Sequence, residues 1–211
     1  MNNITSSGLV TYIEKNIFPL YSKNEQGHGI KHIKTVIKRS LELAKNYNVN
    51  IDMVYTIAAY HDLGNYIDRK KHEILSAQIF IKDENIKKWF TDEQMKIIKE
   101  AIEDHRASIN HEPRSIYGKI ISTSDRTIVN IDETIRRSYS YGKNHYKELS
   151  KEEQIEEMYR YLNKKYGEGG YANIYLEDKE YEKAIKKLRK VLSDKKIFLD
   201  RAKDVINNLN D

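Results

Sequence analysis

A histidine and an aspartate stand side by side at the end of a small apolar run, Ile57-Ala58-Ala59-Tyr60-His61-Asp62, with Gly64 just beyond. Three more ionisable residues occupy places where helical spacing calls for apolar ones. His32 flanks the stripe of Ile30, Ile33, Ile37, Leu41 and Ala44, about 40° around the axis from Val36. His105 extends the stripe Ile97, Ile98, Ala101 and Ile102. Asp125 falls in the column of Ile121 and Ile128, four residues after one and three before the other. These groups point toward one core from four helices. A buried, unpaired carboxylate is costly, so such groups are normally paired or bound to a metal. Two imidazoles and two carboxylates can fill four positions around one divalent cation and leave others for water and substrate. Water on such an ion becomes a nucleophile near neutral pH, and the ion also stabilises charge on a phosphoryl oxygen.

Those residues need rigid elements to carry them, and the spacing predicts helices throughout. Leu9, Val10, Ile13, Ile17 and Leu20 predict a first helix over 8–20, and Gly27 and Gly29 break the chain before a helix over 30–46. Asp52 is the expected N-cap of the helix ending at His61-Asp62. Asn65 to Lys71 reads as a polar, basic loop, followed by a helix over 72–82. Thr91-Asp92-Glu93-Gln94 and Ser150-Lys151-Glu152-Glu153 read as capping boxes, opening helices to about His105 and Lys165. Further helices are expected over 115–129, from Asp132 to about Tyr141, and over 177–192 and 194–208. There are no repeats and no convincing strands. The expected fold is all-α, one domain over 1–211 with its core at about 28–128 and a helical C-terminal extension over about 130–211.

Composition agrees with that reading and removes several functions. Only 2 prolines and 9 glycines interrupt 211 residues, which suits long helices. There is no cysteine, which excludes disulfides, thiolate metal sites and cysteine nucleophiles. No stretch approaches the roughly 18 apolar residues of a membrane span, and the N-terminus shows no secretion signal, so a cytoplasmic location is expected. The formal net charge of +5 suits an anionic substrate such as a nucleotide or phosphate ester. Positive charges are interspersed with acids, which disfavours a basic face for stable nucleic-acid binding.

The ordered set His32, His61-Asp62 and Asp125, in "HIKTVIKRSLELAKNY", "AAYHDLGN" and "IISTSDR", resembles the HD superfamily of metal-dependent phosphohydrolases over roughly residues 28–128. The resemblance implies an HD-like helical bundle with additional C-terminal helices, in which His32, His61, Asp62 and Asp125 bind one metal. It also implies a phosphohydrolase, with metal-bound water attacking a phosphate ester or anhydride of a nucleotide-like substrate. Mn, Fe, Co, Ni or Zn suits the mixed ligands, with Mg a further candidate. His72 and His105 fall between the His-Asp pair and Asp125, an order similar to the binuclear branch, where two intervening histidines help hold a second metal; a phosphate contact is the alternative for both. His72 follows His61 by only 11 positions, a short spacing for that branch.

Around this set, Asp68 and Glu73 are candidates for acid/base work. His28, Arg69, Lys70, Lys71, Arg106 and Arg126 are candidates for lining the pocket or meeting phosphate. His111 and His145 carry no expected role. The tyrosines of "RRSYSYGKNHY" and "YGEGGYANIYL" either stack a base or cover the edge of the core. The Gly-rich piece follows no strand and precedes no Lys-Ser/Thr, so it is neither a P-loop nor a dinucleotide fingerprint. Two rivals remain at this stage. One is a binuclear hydrolase of dinucleoside polyphosphates or cyclic dinucleotides. The other is a module that binds metal and nucleotide without turnover.

Overall fold

The structure, a computed structural model, describes residues 5–24, 26–126 and 130–209. It is all-α, with ten α-helices, several short 3-10 turns and no strand among the described residues. The chain falls into two compact units. One comprises Met1–Asp125 with Ile174–Leu176, the other Arg126–Asn173 with Glu177–Asp211.

The first unit holds α1 (Ser7–Asn16), α2 (Ile30–Ala44), α3 (Ile51–Tyr60), α4 (His72–Lys82), α5 (Asp92–Glu103) and α6 (Ile116–Arg126), the last counted here as far as Asp125. α3 is the centre. Every residue from Met53 to Tyr60 is buried, and α1, α2, α4 and α5 pack around it. Ile33, Ile57 and Ile98 are at most 1% exposed, and each such side chain contributes about 1.5–3 kcal/mol by leaving water. The cap of α3 is Asn50, whose side chain accepts from the Met53 N–H at 3.2 Å. The expected cap, Asp52, lies in the first turn and accepts instead from the Ser6 backbone N–H at 2.8 Å. The first helix also stops early. Pro19 has no N–H and disfavours α geometry in the residue before it, so the chain passes into a 3-10 turn over Phe18–Lys23.

The second unit holds α7 (Ile131–His145), α8 (Lys151–Tyr166), α9 (Lys179–Leu192) and α10 (Lys195–Asn207). Ile135, Ile155, Leu162, Leu188 and Phe198 form its buried interior. Both capping boxes close as expected, with the Thr91–Gln94 and Ser150–Glu153 pairs each satisfying two backbone donors. Ile128, the expected neighbour of Asp125 in its column, lies outside the described residues. None of the described helices is long and apolar enough to cross a membrane.

Candidate metal centre

Because α3 is buried along most of its length, the residues that end it arrive in the interior. His61 is 0% and Asp62 2% exposed. The His61 N–H closes the helix on the Ile57 carbonyl at 3.0 Å, and its ring Nδ1 lies 2.9 Å from the Ala58 carbonyl. A carbonyl can only accept, so Nδ1 carries the hydrogen and Nε2 keeps its lone pair. The same local arrangement recurs twice. His72 Nδ1 meets the Arg69 carbonyl at 2.9 Å, and His105 Nδ1 meets the Ile102 carbonyl at 2.6 Å. In all three the ring donates to the carbonyl three residues earlier and turns Nε2 inward, the orientation a metal-ligating histidine needs, although the 3.0 Å contact between His72 and His105 puts a hydrogen on one of those two Nε2 atoms in the protein alone.

These nitrogens converge on two carboxylates. Asp62 Oδ2 faces His28 Nδ1 at 2.8 Å, His32 Nε2 at 3.5 Å and His61 Nε2 at 3.6 Å. Asp62 Oδ1 faces the other way, 3.5 Å from His72 Nε2 and 3.6 Å from His105 Nε2. Asp125 Oδ1 lies 3.1 Å from His32 Nε2 and 3.9 Å from His61 Nε2. Donor atoms of His32, His61 and Asp125 all lie within 4.8 Å of one another, as do those of His28, His32 and Asp62 and those of His61, Asp62 and His105. His72 and His105 bring their Nε2 atoms within 3.0 Å.

Charge follows the geometry. Burial would raise the pKa values of Asp62 and Asp125, but the surrounding imidazoles hold both well below the usual carboxylate range. Burial pushes His61 down to about 4 against the pull of Asp62. His32 is driven the other way. Burial lowers it, yet Asp125 and Asp62 outweigh that and lift it to about 9. Two anionic carboxylates therefore meet at His32, and in the protein alone they favour a proton there.

The residues fit a divalent cation. His61 Nε2 is buried and hydrogen-bonds nothing among the described residues, an expensive condition for a lone pair unless a Lewis acid meets it. Mixed imidazole and carboxylate donors from α2, the end of α3 and α6 suit a borderline metal.

The remaining candidates are placed variously. The short spacing from His61 to His72 is no obstacle. Two 3-10 turns, Leu63–Tyr66 and Arg69–Lys71, return the chain to Asp62. Gly64 makes the return possible: a Cβ there would lie 2.5 Å from the His72 carbonyl, and its N–H bonds to Ser76 Oγ at 2.8 Å. Asp68 caps the second turn by accepting from the Lys70 N–H at 2.8 Å. Glu73 receives Arg106 Nη1 at 3.1 Å on both oxygens and stands 3.5 Å from His72 Nδ1. Arg106 also bonds to the Lys70 carbonyl, so it ties the histidine-bearing segments to each other. Arg69, Lys70 and Lys71 are exposed on the turn between Asp62 and His72. Arg126 is only 4% exposed and donates to the Asn173 carbonyl at 2.8 Å. His111 and His145 are held by local carbonyls, those of Glu112 and Tyr141.

Sequence reasoning passed over Asp104, a carboxylate with 0% exposure directly before His105. It accepts from the Arg114 backbone N–H at 2.7 Å and Nη2 at 2.8 Å, which fixes the loop after α5. The signal was the pair of acids, Glu103-Asp104, at the end of an otherwise apolar stripe.

The family model of the HD domain matches residues 29–130. No curated protein sequence matches the chain. Among solved structures, the chain is similar to a predicted HD superfamily hydrolase from an uncultured Thermotogales bacterium. That protein is 18% identical, the match covers 74% of this chain and 85% of that one, and the TM-score is 0.49.

Proposed function

We propose, from the match of residues 29–130 to the HD domain family model, that this protein is a divalent-metal-dependent phosphohydrolase acting on a phosphate ester or anhydride of a nucleotide-like substrate. The observation that carries the reading is the convergence of His32, His61, Asp62 and Asp125, with the buried Nε2 of His61 lacking any hydrogen-bond partner among the described residues. These four would hold the ion. A bound divalent ion supplies Lewis acidity at a phosphoryl oxygen and lowers the pKa of water.

The chain's own groups do the rest. The carbonyls of Ala58, Ile102 and Arg69 keep three imidazoles in one tautomer and orientation. Arg69, Lys70 and Lys71, on the turn between Asp62 and His72, neutralise phosphate oxygens. Glu73 and Asp68 flank that turn as the carboxylates for proton transfer. Arg106 is engaged by Glu73, so its part is to support that carboxylate. The net charge of +5 supports an anionic substrate. A small phosphorylated molecule, rather than a nucleic acid or a membrane, is the partner we propose.

A specific observation favours two ions. The oxygens of Asp62 face different imidazole sets, His28, His32 and His61 on one side and His72 and His105 on the other. A carboxylate so placed can bridge. The test is elemental analysis of the purified protein, then phosphate release from a panel of nucleotides with several divalent ions. Two ions per chain, falling to one in His105→Ala, support the binuclear reading. One ion throughout supports the mononuclear one. Metal and nucleotide binding without phosphate release would mark a non-catalytic module and overturn the hydrolase.

A further inference from the structure

Asn24 follows the 3-10 turn Phe18–Lys23 and belongs to none of the motifs above. Its backbone N–H bonds to the Tyr21 carbonyl at 3.1 Å. Its side-chain Nδ2 has two hydrogens and uses both. One goes to the His28 carbonyl at 3.0 Å and the other to the Asp62 carbonyl at 3.0 Å. The His28 ring in turn meets the Asp62 carboxylate at 2.8 Å. Asn24, His28 and Asp62 therefore close a ring of three hydrogen bonds. It passes through the backbone of both residues and through both side chains.

The ring matters because it joins the turn Gln26–His28, which leads into α2, to the end of α3. His28 stands between Gly27 and Gly29, which supply no side-chain packing and favour no single conformation. Asp62 has just left α3, and its carbonyl is shared with the Asn65 N–H at 3.2 Å. The Asn24 amide is what couples the two carbonyls. A carboxylate would repel both, and an aliphatic side chain would bond to neither.

We propose that Asn24 is a positioning residue. By tying the backbone of His28 to that of Asp62, it seats the His28 imidazole on Asp62 Oδ2 and so aims the Asp62 carboxylate into the cluster. This rests on the metal-centre reading given above. Outer partners of metal ligands typically contribute 10–100-fold to affinity, and that is the scale expected here.

The test measures metal binding and fold separately. The wild type, Asn24→Ala, Asn24→Asp, His28→Ala and the double variant Asn24→Ala/His28→Ala are titrated with Mn(II), Co(II) and Zn(II). Thermal midpoints are taken in chelator. Each single variant should bind the ion about 10–100-fold more weakly. The double variant should lose little more than either single one, because both cut the same ring. Midpoints of the chelated proteins should shift far less than those of the loaded ones. His28→Ala removes a partly exposed side chain and keeps the test valid if the Asn24 variants fold poorly. Wild-type affinity in His28→Ala or in a folded Asn24 variant overturns the proposal alone, as does full additivity in the double variant. A wild type that binds none of the three ions overturns the metal centre and the proposal with it.

Discussion

Asp62 and Asp178 are both buried, at 2% and 3% exposure, and both stand just before a helical turn, one in each unit. Their carboxylates are used in opposite ways. Asp178 caps α9, accepting from the Glu180 and Tyr181 N–H groups at 3.1 Å. Asp62 precedes the Leu63–Tyr66 turn and caps nothing with its side chain. It turns both oxygens to imidazoles. A buried carboxylate spent on backbone N–H groups is part of the fold, and one aimed at five histidines is held for something else. Burial alone would not tell the two apart; the identity of the partners does.

The largest effect should come from replacing each aspartate by asparagine, which preserves shape and removes charge. Asp62→Asn should weaken metal retention by more than about a hundredfold, beyond the loss typical of an outer partner, while helicity by circular dichroism stays near wild type. His61→Ala should do the same. Asp178→Asn should leave metal content untouched, since asparagine is as good a cap. If Asp62→Asn keeps its ion and its activity at wild-type levels, the contrast between the two sites collapses.

Asp104 is a third solution, a buried carboxylate met by a cation. Arg114 reaches it through Nε at 3.0 Å and Nη2 at 2.8 Å, and its Nη2 also holds Glu103 at 2.9 Å. Removing the guanidinium leaves Asp104 charged in the interior with the Arg114 backbone N–H still bonded. Because Arg114 itself is partly exposed, Arg114→Met should cost about 2 kcal/mol, less than a fully buried pair would. Urea denaturation read by circular dichroism measures it. A loss below a few tenths would mean that Asp104 needs no cation.

Asp178→Ala should cost about 1 kcal/mol, the usual worth of an N-cap, measured the same way. Together with the asparagine variant it separates capping from charge.

Much of this was legible in the sequence, for reasons that differ by element. The helices were readable because stripes such as Ile33, Ile37, Leu41 repeat at helical spacing, and because a capping box is a local hydrogen-bond exchange that four residues specify. The 3-10 turn around Pro19 was written in that residue, but the one after Asp62 was not, because it depends on the close approach of Gly64 to α4. Asp52 and Asn50 are both good caps by type, and only the contact from Ser6 decides between them. Convergence of His32, His61-Asp62 and Asp125 was expected because each breaks an apolar pattern. Asn24 broke none. Its importance lies in two carbonyls, and backbone acceptors leave no trace in residue identity.

Asp83 is the mildest case and gives the smallest test. It is half-buried and met by neutral phenols, Tyr12 Oη at 2.6 and 2.7 Å and Tyr60 Oη at 2.6 Å. Here the donors carry the perturbation. Burial, then the bond to Asp83, pushes Tyr12 from 10.0 up to about 12. The fold thus favours the neutral phenol. Its contribution is fully present below pH 10, and is lost as the pH rises toward about 12. Tyr12→Phe should lower stability by about 1 kcal/mol at pH 8, the net worth of the hydrogen bond. It should also make the decline between pH 10 and 12 shallower, with Tyr60 and the other tyrosines that burial holds up, Tyr21 and Tyr55 among them, supplying what remains. Urea midpoints at pH 8, 10 and 11.5 would show it, and a slope unchanged from wild type would remove Tyr12 from the account.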